Sequence, residues 1–349
     1  MIEVSAPIRI DSNSRIPKYQ QIINSIIEDI ENGYLKVGQK IPSINEVSEE
    51  YYLSRDTVEK AYNHLKERKI IVSAKGKGCY VARALSSSQS NVLFLMNKLS
   101  SYKLRIYNAF VNSMGSNTKV DLHVYHCDPE LLLNILQENA GKYDNYVVMP
   151  HFKNKELVHQ NFNHEVLNTL KKIPADKLVI LDNYLPELSQ NVGVVFQDFK
   201  QDIFDALEEG IFRLKKYDKI ILAYPRKSIY PYPLEILEGF QRFCQVYNFD
   251  YEILETIYPD MDLQARDAYV IIEETDLVNL VKQIRDQHFE LGQDIGVITY
   301  NDTPLKELLG ITVISTDFKV MGETAAYMIL KKKKEIVKNV FRFINRDSA

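Results

Sequence analysis

The sequence predicts a small N-terminal α+β module followed by a larger α/β unit of two lobes built on parallel sheets. Three observations carry that expectation. A chain of 349 residues is too long for one small domain. Helical periodicity and a single Gly-rich hairpin fill the first part. From Val92 onward, short apolar strands alternate with amphipathic helices. At 45% hydrophobic and 26% charged residues, the composition is that of a globular protein. No apolar run reaches the ~18 residues of a membrane span. MIEVSAPIRIDSNSR lacks the apolar stretch and basic start of a secretory signal, so a cytoplasmic setting without membrane association is expected. Cys79, Cys127 and Cys244 are odd in number and far apart, which predicts neither a disulfide framework nor a metal site. Cys79 and Cys244 lie in apolar patterns and read as small core residues.

The first element is PKYQQIINSIIEDIENG, where Tyr19, Ile22, Ile23, Ile26, Ile27 and Ile30 recur on one helical face. Pro17 suits its first turn and Gly33 lies past its end. Ser43 begins the second helix and can form a capping box with Glu46, burying Ile44, Val47 and Tyr51. Ser54 can cap the third, whose inner face is Val58, Ala61, Tyr62 and Leu65. Only a few residues around Leu53 join the two, which is the helix-turn-helix arrangement. KIIVSAKGKGCYVA then reads strand, turn, strand, with Lys75, Gly76, Lys77 and Gly78 at the tip. A Gly-rich loop with no helix after it does not fit a nucleotide-binding motif.

Charge separates this module from the rest of the chain. Residues 1–85 carry 13 Lys and Arg against 11 Asp and Glu, whereas the remainder carries 30 against 36. Within residues 52–83 eight basic side chains face three acidic ones, which suits an anionic partner. The second helix of such a pair enters the major groove N-terminus first. Ser54, Arg55, Asp56 and Thr57 stand there, off the apolar face. Arg55 can bond guanine or phosphate in bidentate fashion, and the hydroxyls of Ser54 and Thr57 suit phosphate oxygens. Lys75, Gly76 and Lys77 form a basic wing for the backbone or minor groove. On IPKYQQI, GQKIPS, LSRDTVEKAYNHL and KGKGCYV, residues 16–82 resemble the winged helix-turn-helix domain of GntR-type bacterial transcription regulators. The resemblance implies that Ser43, Arg55, Thr57 and Gly76 contact DNA. Asn45 stands where that family usually has Arg; it can still bond adenine or phosphate, and the departure bears on operator sequence.

The expected organisation is a DNA-binding domain over 1–83, a Ser-rich linker over 84–91 and a two-lobed domain over 92–349. Strands are predicted at 92–96, 120–126, 144–150, 177–182, 192–198, 219–224 and, further on, in DYEILE, AYVIIEE and DIGVITY. Helices are predicted between them, including one spanning LVHQNFNHEVLNTL (157–170). ITVIST (311–316), a helix over 318–330 and NVFRFINR (339–346) read as return elements that cross between the lobes. KKKKE (331–335) reads as the solvated end of that helix. Over roughly 90–349 the chain resembles the effector domain of LacI-type repressors, relatives of periplasmic sugar-binding proteins. The likeness rests on VGVVFQDFKQDIFDALEEGI, PLEILEGFQRF, AYVIIEETDLVNLVKQIRDQHFELGQDIGVITYNDTP and TDFKVMGETAAYMIL.

In parallel sheets the ligand crevice lies beyond the carboxyl ends of strands. That rule nominates Asn97, His151, Asn183, Tyr184, Asp198, Arg226, Glu273, Glu274, Asn301 and Asp302 as ligand contacts, with Lys98, Phe152 and Gln197 beside them. Such carboxylates, amides and rings can bond sugar hydroxyls and stack on a sugar's apolar face. LacI-type sugar binders usually carry Arg at the position of Ile236. That loss favours a neutral or cationic ligand over a phosphate.

The seven histidines are scattered, and no nucleophile elbow, Walker A loop or paired-Cys motif occurs, so neither an enzyme, nor a cofactor, nor a metal site is expected. The function expected is a ligand-responsive repressor that binds double-stranded operator DNA as a homodimer and takes a small effector, a monosaccharide, between its lobes. The alternative is a sugar-sensing protein whose N-terminal domain mediates protein contacts.

Overall fold

The computed structural model describes residues 8–74, 76–82, 90–115, 117–189 and 191–349. It divides into two compact units, Met1–Gln89 and Ser90–Ala349.

In the first unit, α1 (Lys18–Glu31), α2 (Ile44–Glu50) and α3 (Arg55–Glu67) precede β1 (Ile71–Ala74) and β2 (Gly78–Val81), which pair antiparallel. The periodicity explains the packing. Ile22, Ile26, Val47, Val58, Ala61, Tyr62 and Leu65 are buried in one core, closed by Ile71 and Val81 of the hairpin. Tyr19, Ile27, Ile44 and Tyr51 line its edge, half-buried. The Tyr62 hydroxyl, buried with its ring, donates to the Pro42 carbonyl at 2.7 Å. One contact was not foreseen: the segment before α2 runs along the hairpin, with Ile41 N donating to Cys79 O and Val81 N to Gln39 O.

The second unit begins with β3 (Ser90–Met96), α4 (Ser101–Met114), β4 (Thr118–Val124), α5 (Pro129–Glu138) and β5 (Asn145–Val148). There follow β6 (Phe152–Lys153), β7 (His159–Gln160), α6 (His164–Leu170), β8 (Leu178–Asp182), α7 (Pro186–Ser189) and β9 (Gly193–Phe196). The chain then enters a second lobe through α8 (Phe199–Glu209), α9 (Ile211–Leu214), β10 (Lys219–Ala223), α10 (Leu234–Tyr247) and β11 (Asp250–Leu254). That lobe continues with β12 (Asp267–Ile271), α11 (Glu274–Asp286), β13 (Gly296–Tyr300), α12 (Pro304–Leu308) and β14 (Thr312–Thr316). Finally α13 (Phe318–Lys331) and β15 (Ile336–Lys338) return to the first lobe, and β16 (Phe341–Ile344) to the second.

The first sheet has the order β15-β9-β8-β5-β3-β4 and is parallel throughout. The second, β11-β10-β12-β13-β14-β16, is parallel except for its antiparallel edge strand β16. Helices cover both faces, so central strands such as β8, β12 and β13 are buried along their whole length, which is why they read as mostly apolar runs without a polar alternation. In each lobe a glycine lets two helices meet backbone to side. A Cβ on Gly322 of α13 would lie 2.3 Å from the Ile106 carbonyl of α4, and one on Gly239 of α10 would lie 2.2 Å from the Lys200 carbonyl of α8. Among the described residues no helix is long and apolar enough to cross a membrane.

The three crossings between lobes are tied together at Asn339. Its side-chain amide donates to the Thr316 hydroxyl at 2.7 Å and to the Asp317 carbonyl at 2.9 Å, while its backbone N–H donates to Phe196 O at 2.8 Å. Asp317 N donates in turn to Val340 O.

Three expectations need correction. The helix placed over 157–170 exists only over its last seven residues, because Asn163 caps it there, accepting from the N–H groups of Glu165 and Val166. Residues 159–160 instead pair antiparallel with 152–153. Strand β3 starts at Ser90 rather than at 92, held by Ser90 N to Asn117 O and Asn91 N to the Asp144 carboxylate. The long helix after Gln197 breaks at Gly210, where the Phe343 ring fills the space a side chain would need. The expected linker otherwise falls outside the described residues.

Candidate functional site

The front of the helix-turn-helix is built by two caps. Ser43 accepts from Glu46 N at 3.2 Å, and the Glu46 carboxylate accepts from Ser43 N at 2.6 Å, which completes the capping box and holds the Glu46 carboxyl below its ordinary range. Ser54 accepts from Thr57 N at 3.2 Å, and the two hydroxyls lie 2.7 Å apart. Between the helices Tyr52 takes a left-handed conformation, φ +52°, and is 96% exposed. Asn45, Ser54, Arg55, Gly76 and Lys77 are exposed, and Ser43 and Thr57 are half-buried. Lys75 lies outside the described residues. Among the described residues no acidic group pairs with Arg55, so its guanidinium stands free at the start of α3. Lys60 is engaged elsewhere: its ammonium sits 4.1 Å from the centre of the Tyr19 ring, on which His64 also stacks.

In the second unit, the carboxyl ends of the strands converge on a cavity of about 50 Å³ between the lobes. Asn97 and Lys98 reach it from β3, His151 from the turn after β5, Asp182 from the end of β8 and Gln197 from the end of β9. Lys103 of α4 joins them, and Phe199, Tyr232, Ile236, Tyr300, Asn301 and Phe318 complete the wall. A space of this size has room for a few waters.

Asp182 organises the first lobe's side. Its carboxylate accepts from Lys103, from Gln197 and, at 2.7 Å, from His151 Nε2. Burial works against its charge, but the Lys103 ammonium and His151 together outweigh it and hold the carboxyl well below the usual range. His151 Nε2 therefore carries the proton, and Nδ1 accepts from His159 Nε2 at 3.1 Å. Burial holds both rings neutral, pushing His159 down to about 3. Two buried atoms on the wall have no partner among the described residues, Asn97 Oδ1 and the Tyr300 hydroxyl. Buried groups left unpaired are costly, and both belong to residues that line the cavity.

Of the predicted ligand residues, Asn97, His151 and Asn301 line the cavity, as do the neighbouring Lys98 and Gln197. The others do not. Asn183 is buried, but its amide donates to the carbonyls of Pro150 and Asn161. Tyr184 packs against Phe196 with the rings tilted by 37°, and Asp198 caps α8 through Gln201 N. Arg226 and Glu274 are exposed. Glu273 is half-buried at the start of α11, and Asp302 forms a two-point ion pair with Arg346 at 2.9 and 3.0 Å. Sequence reasoning missed Lys103, Asp182, Tyr232, Phe199 and Phe318. Asp182 is the last residue of its strand, one position before those the strand-end rule names, and Lys103 comes from a helix that the rule does not consider.

The first unit is thus a winged helix-turn-helix, a DNA-binding module, and the second a two-lobed α/β domain with its cleft at the strand ends. Comparison with known proteins makes both more specific. Residues 18–81 match the family described as bacterial regulatory proteins, gntR family. The HTH-type transcriptional repressor YtrA of Bacillus subtilis is 37% identical over 75 residues, 22% of this chain and 58% of YtrA. The chain therefore spans little more than half the length of that relative. The remainder has the fold of LacI-type effector domains. A LacI family transcriptional regulator from Lactobacillus casei with bound glucose superimposes with a TM-score of 0.57 at 14% identity, covering 74% of this chain and all of that one. The lac repressor dimer bound to operator and the anti-inducer ONPF gives 0.55 at 15% identity, covering 76% and 96%.

Proposed function

We propose that the protein is a ligand-responsive bacterial transcription regulator, a repressor that acts in the cytoplasm as a homodimer on palindromic operator DNA. The single observation that supports this best is the joining, in one chain, of a gntR-type helix-turn-helix to a two-lobed domain, with Arg55 of the first and polar atoms in the cleft of the second unpaired among the described residues. Arg55 reads a base or grips phosphate, Asn45 reads a base edge, and Ser43, Ser54 and Thr57 bond phosphates, each hydroxyl keeping hydrogen-bonding capacity beyond its cap. Lys75, Gly76 and Lys77 lay the wing on the backbone. The effector is a small sugar held by Asn97 and Asn301, with His151, both of whose ring nitrogens are engaged, fixing the Asp182 carboxylate beside it. Glucose bound to the L. casei regulator supports that class. A chain working this way needs no catalytic group or cofactor. The effector changes DNA affinity by binding one closure state of the lobes better than the other, and the coupling equals that difference in affinity.

The test selects operator fragments from random duplexes with the full chain, then repeats the gel shift with a sugar library. A selected palindrome whose retention changes with one sugar is the expected result. Duplex binding without sequence preference, or with no response to any sugar, counts against the proposal.

A further inference from the structure

The charges around the cleft do not balance. Two ammonium groups, Lys98 and Lys103, are buried in its wall, and one carboxylate, Asp182, faces them. That carboxylate is fully committed: Lys103, His151 and Gln197 all bond it, so it has little left to accept from a sugar hydroxyl. Lys98 is 8% exposed, and no carboxylate lies within ion-pairing distance of it among the described residues. It is instead enclosed by aromatic rings, its ammonium lying 4.5 Å from the centre of Tyr232, 5.6 Å from Tyr102 and 6.0 Å from Tyr230. Glu273 feels its field from outside the cavity wall, but the two form no ion pair. Beside Lys98, Asn97 is 4% exposed, and its side-chain oxygen has no partner among the described residues.

A buried charge without a counter-ion is strongly disfavoured, and rings ease that cost only in part. We infer that the effector is a sugar acid, a monosaccharide bearing one carboxylate, which seats that carboxylate on Lys98 while Asn97 Oδ1 accepts from a neighbouring hydroxyl. The inference rests on the effector reading above and deepens it. A neutral sugar would leave a lone positive charge in the closed cleft. A phosphate dianion would leave a negative one, since the charge on Lys103 is already matched by Asp182. A monoanion closes the balance. The inference departs from the neutral or cationic ligand expected from the loss of Arg at position 236, because Lys98 offers a cation from another element.

The experiment uses the full chain, with calorimetry and thermal shift against sodium D-galacturonate, D-glucuronate and D-gluconate. The neutral D-galactose and D-glucose, and glucose 6-phosphate, serve as comparisons. At least one acid is expected to bind roughly 30-fold or more tightly than its neutral counterpart. Lys98→Met should reduce that preference to about threefold or less, and Lys98→Arg should retain most of it. Without ligand, Lys98→Met should melt no lower than the wild type, because it removes an uncompensated buried charge. The inference is overturned if a neutral sugar binds as well as its acid, if glucose 6-phosphate binds and no acid does, or if unliganded Lys98→Met melts several degrees lower. If neutral sugars bind and release operator, only the charge assignment fails. If no compound in the panel binds or alters operator retention, the effector reading fails with it.

Discussion

Arg55 stands at the first turn of α3 with no acidic partner among the described residues, next to a helix N-terminus that itself favours anions. Arg55→Ala is expected to weaken operator binding by about 1–3 kcal/mol per half-site while effector binding by calorimetry stays unchanged. Loss of both would argue against separate modules. The inner face of α3 was legible because Val58, Ala61, Tyr62 and Leu65 repeat at helical spacing, and its outer face because an Arg off that stripe has no core to enter. The cleft was only partly legible. Its central carboxylate depends on Lys103 and His151 arriving from other elements, and no local spacing encodes that meeting. Asp202 shows the same limit. It is buried, bonds Lys338 at 2.9 Å and has its carboxyl pushed up to about 6, chiefly by burial. Between about pH 4 and 6 the folded chain keeps a proton there that the unfolded chain has lost, so this contribution to stability falls as pH rises through that window. Asp202→Asn should flatten the dependence by roughly 2 kcal/mol, read from urea midpoints at pH 4.5 and 7.

At the scale of elements, periodicity worked where helices were long and strands fully buried. It failed at 157–170, where apolar residues recur by accident of a hairpin followed by a short helix. Asn163, a good cap, was the signal that could have divided them. The return strand β15 went unrecognised because three residues beside a Lys run carry no alternation to read. The helix pairs α4–α13 and α8–α10 depend on Gly322 and Gly239, whose missing side chains face a carbonyl of the partner helix. Gly239→Ala or Gly322→Ala must push the helices apart and should cost about 2 kcal/mol or more, seen as a lower urea midpoint. Alanine at the tip position Gly76 meets no neighbouring atom but takes up a strained φ of +74°, so its effect should be smaller and confined to the wing.

For the whole molecule, the proposed dimer makes DNA affinity a function of salt. If each protomer neutralises three phosphates, affinity should fall roughly a thousandfold between 50 and 200 mM KCl, with a log–log slope near −5. A flat dependence in filter binding would favour the protein-contact alternative. Saturating effector should also raise the melting temperature as its concentration climbs, since it binds only the folded chain. The two-lobed architecture has a further consequence. One edge strand of the first sheet, β15, and the helix α13 that packs on β8 and β9 are encoded after almost the entire second lobe. During synthesis the half-built layer ending at β9 must wait on the order of ten seconds, its flank open, until its last pieces leave the ribosome. A nascent chain stalled before residue 318 would thus present a bare sheet margin to chaperones or to other chains, and a stop codon there would cripple the lobe translated first.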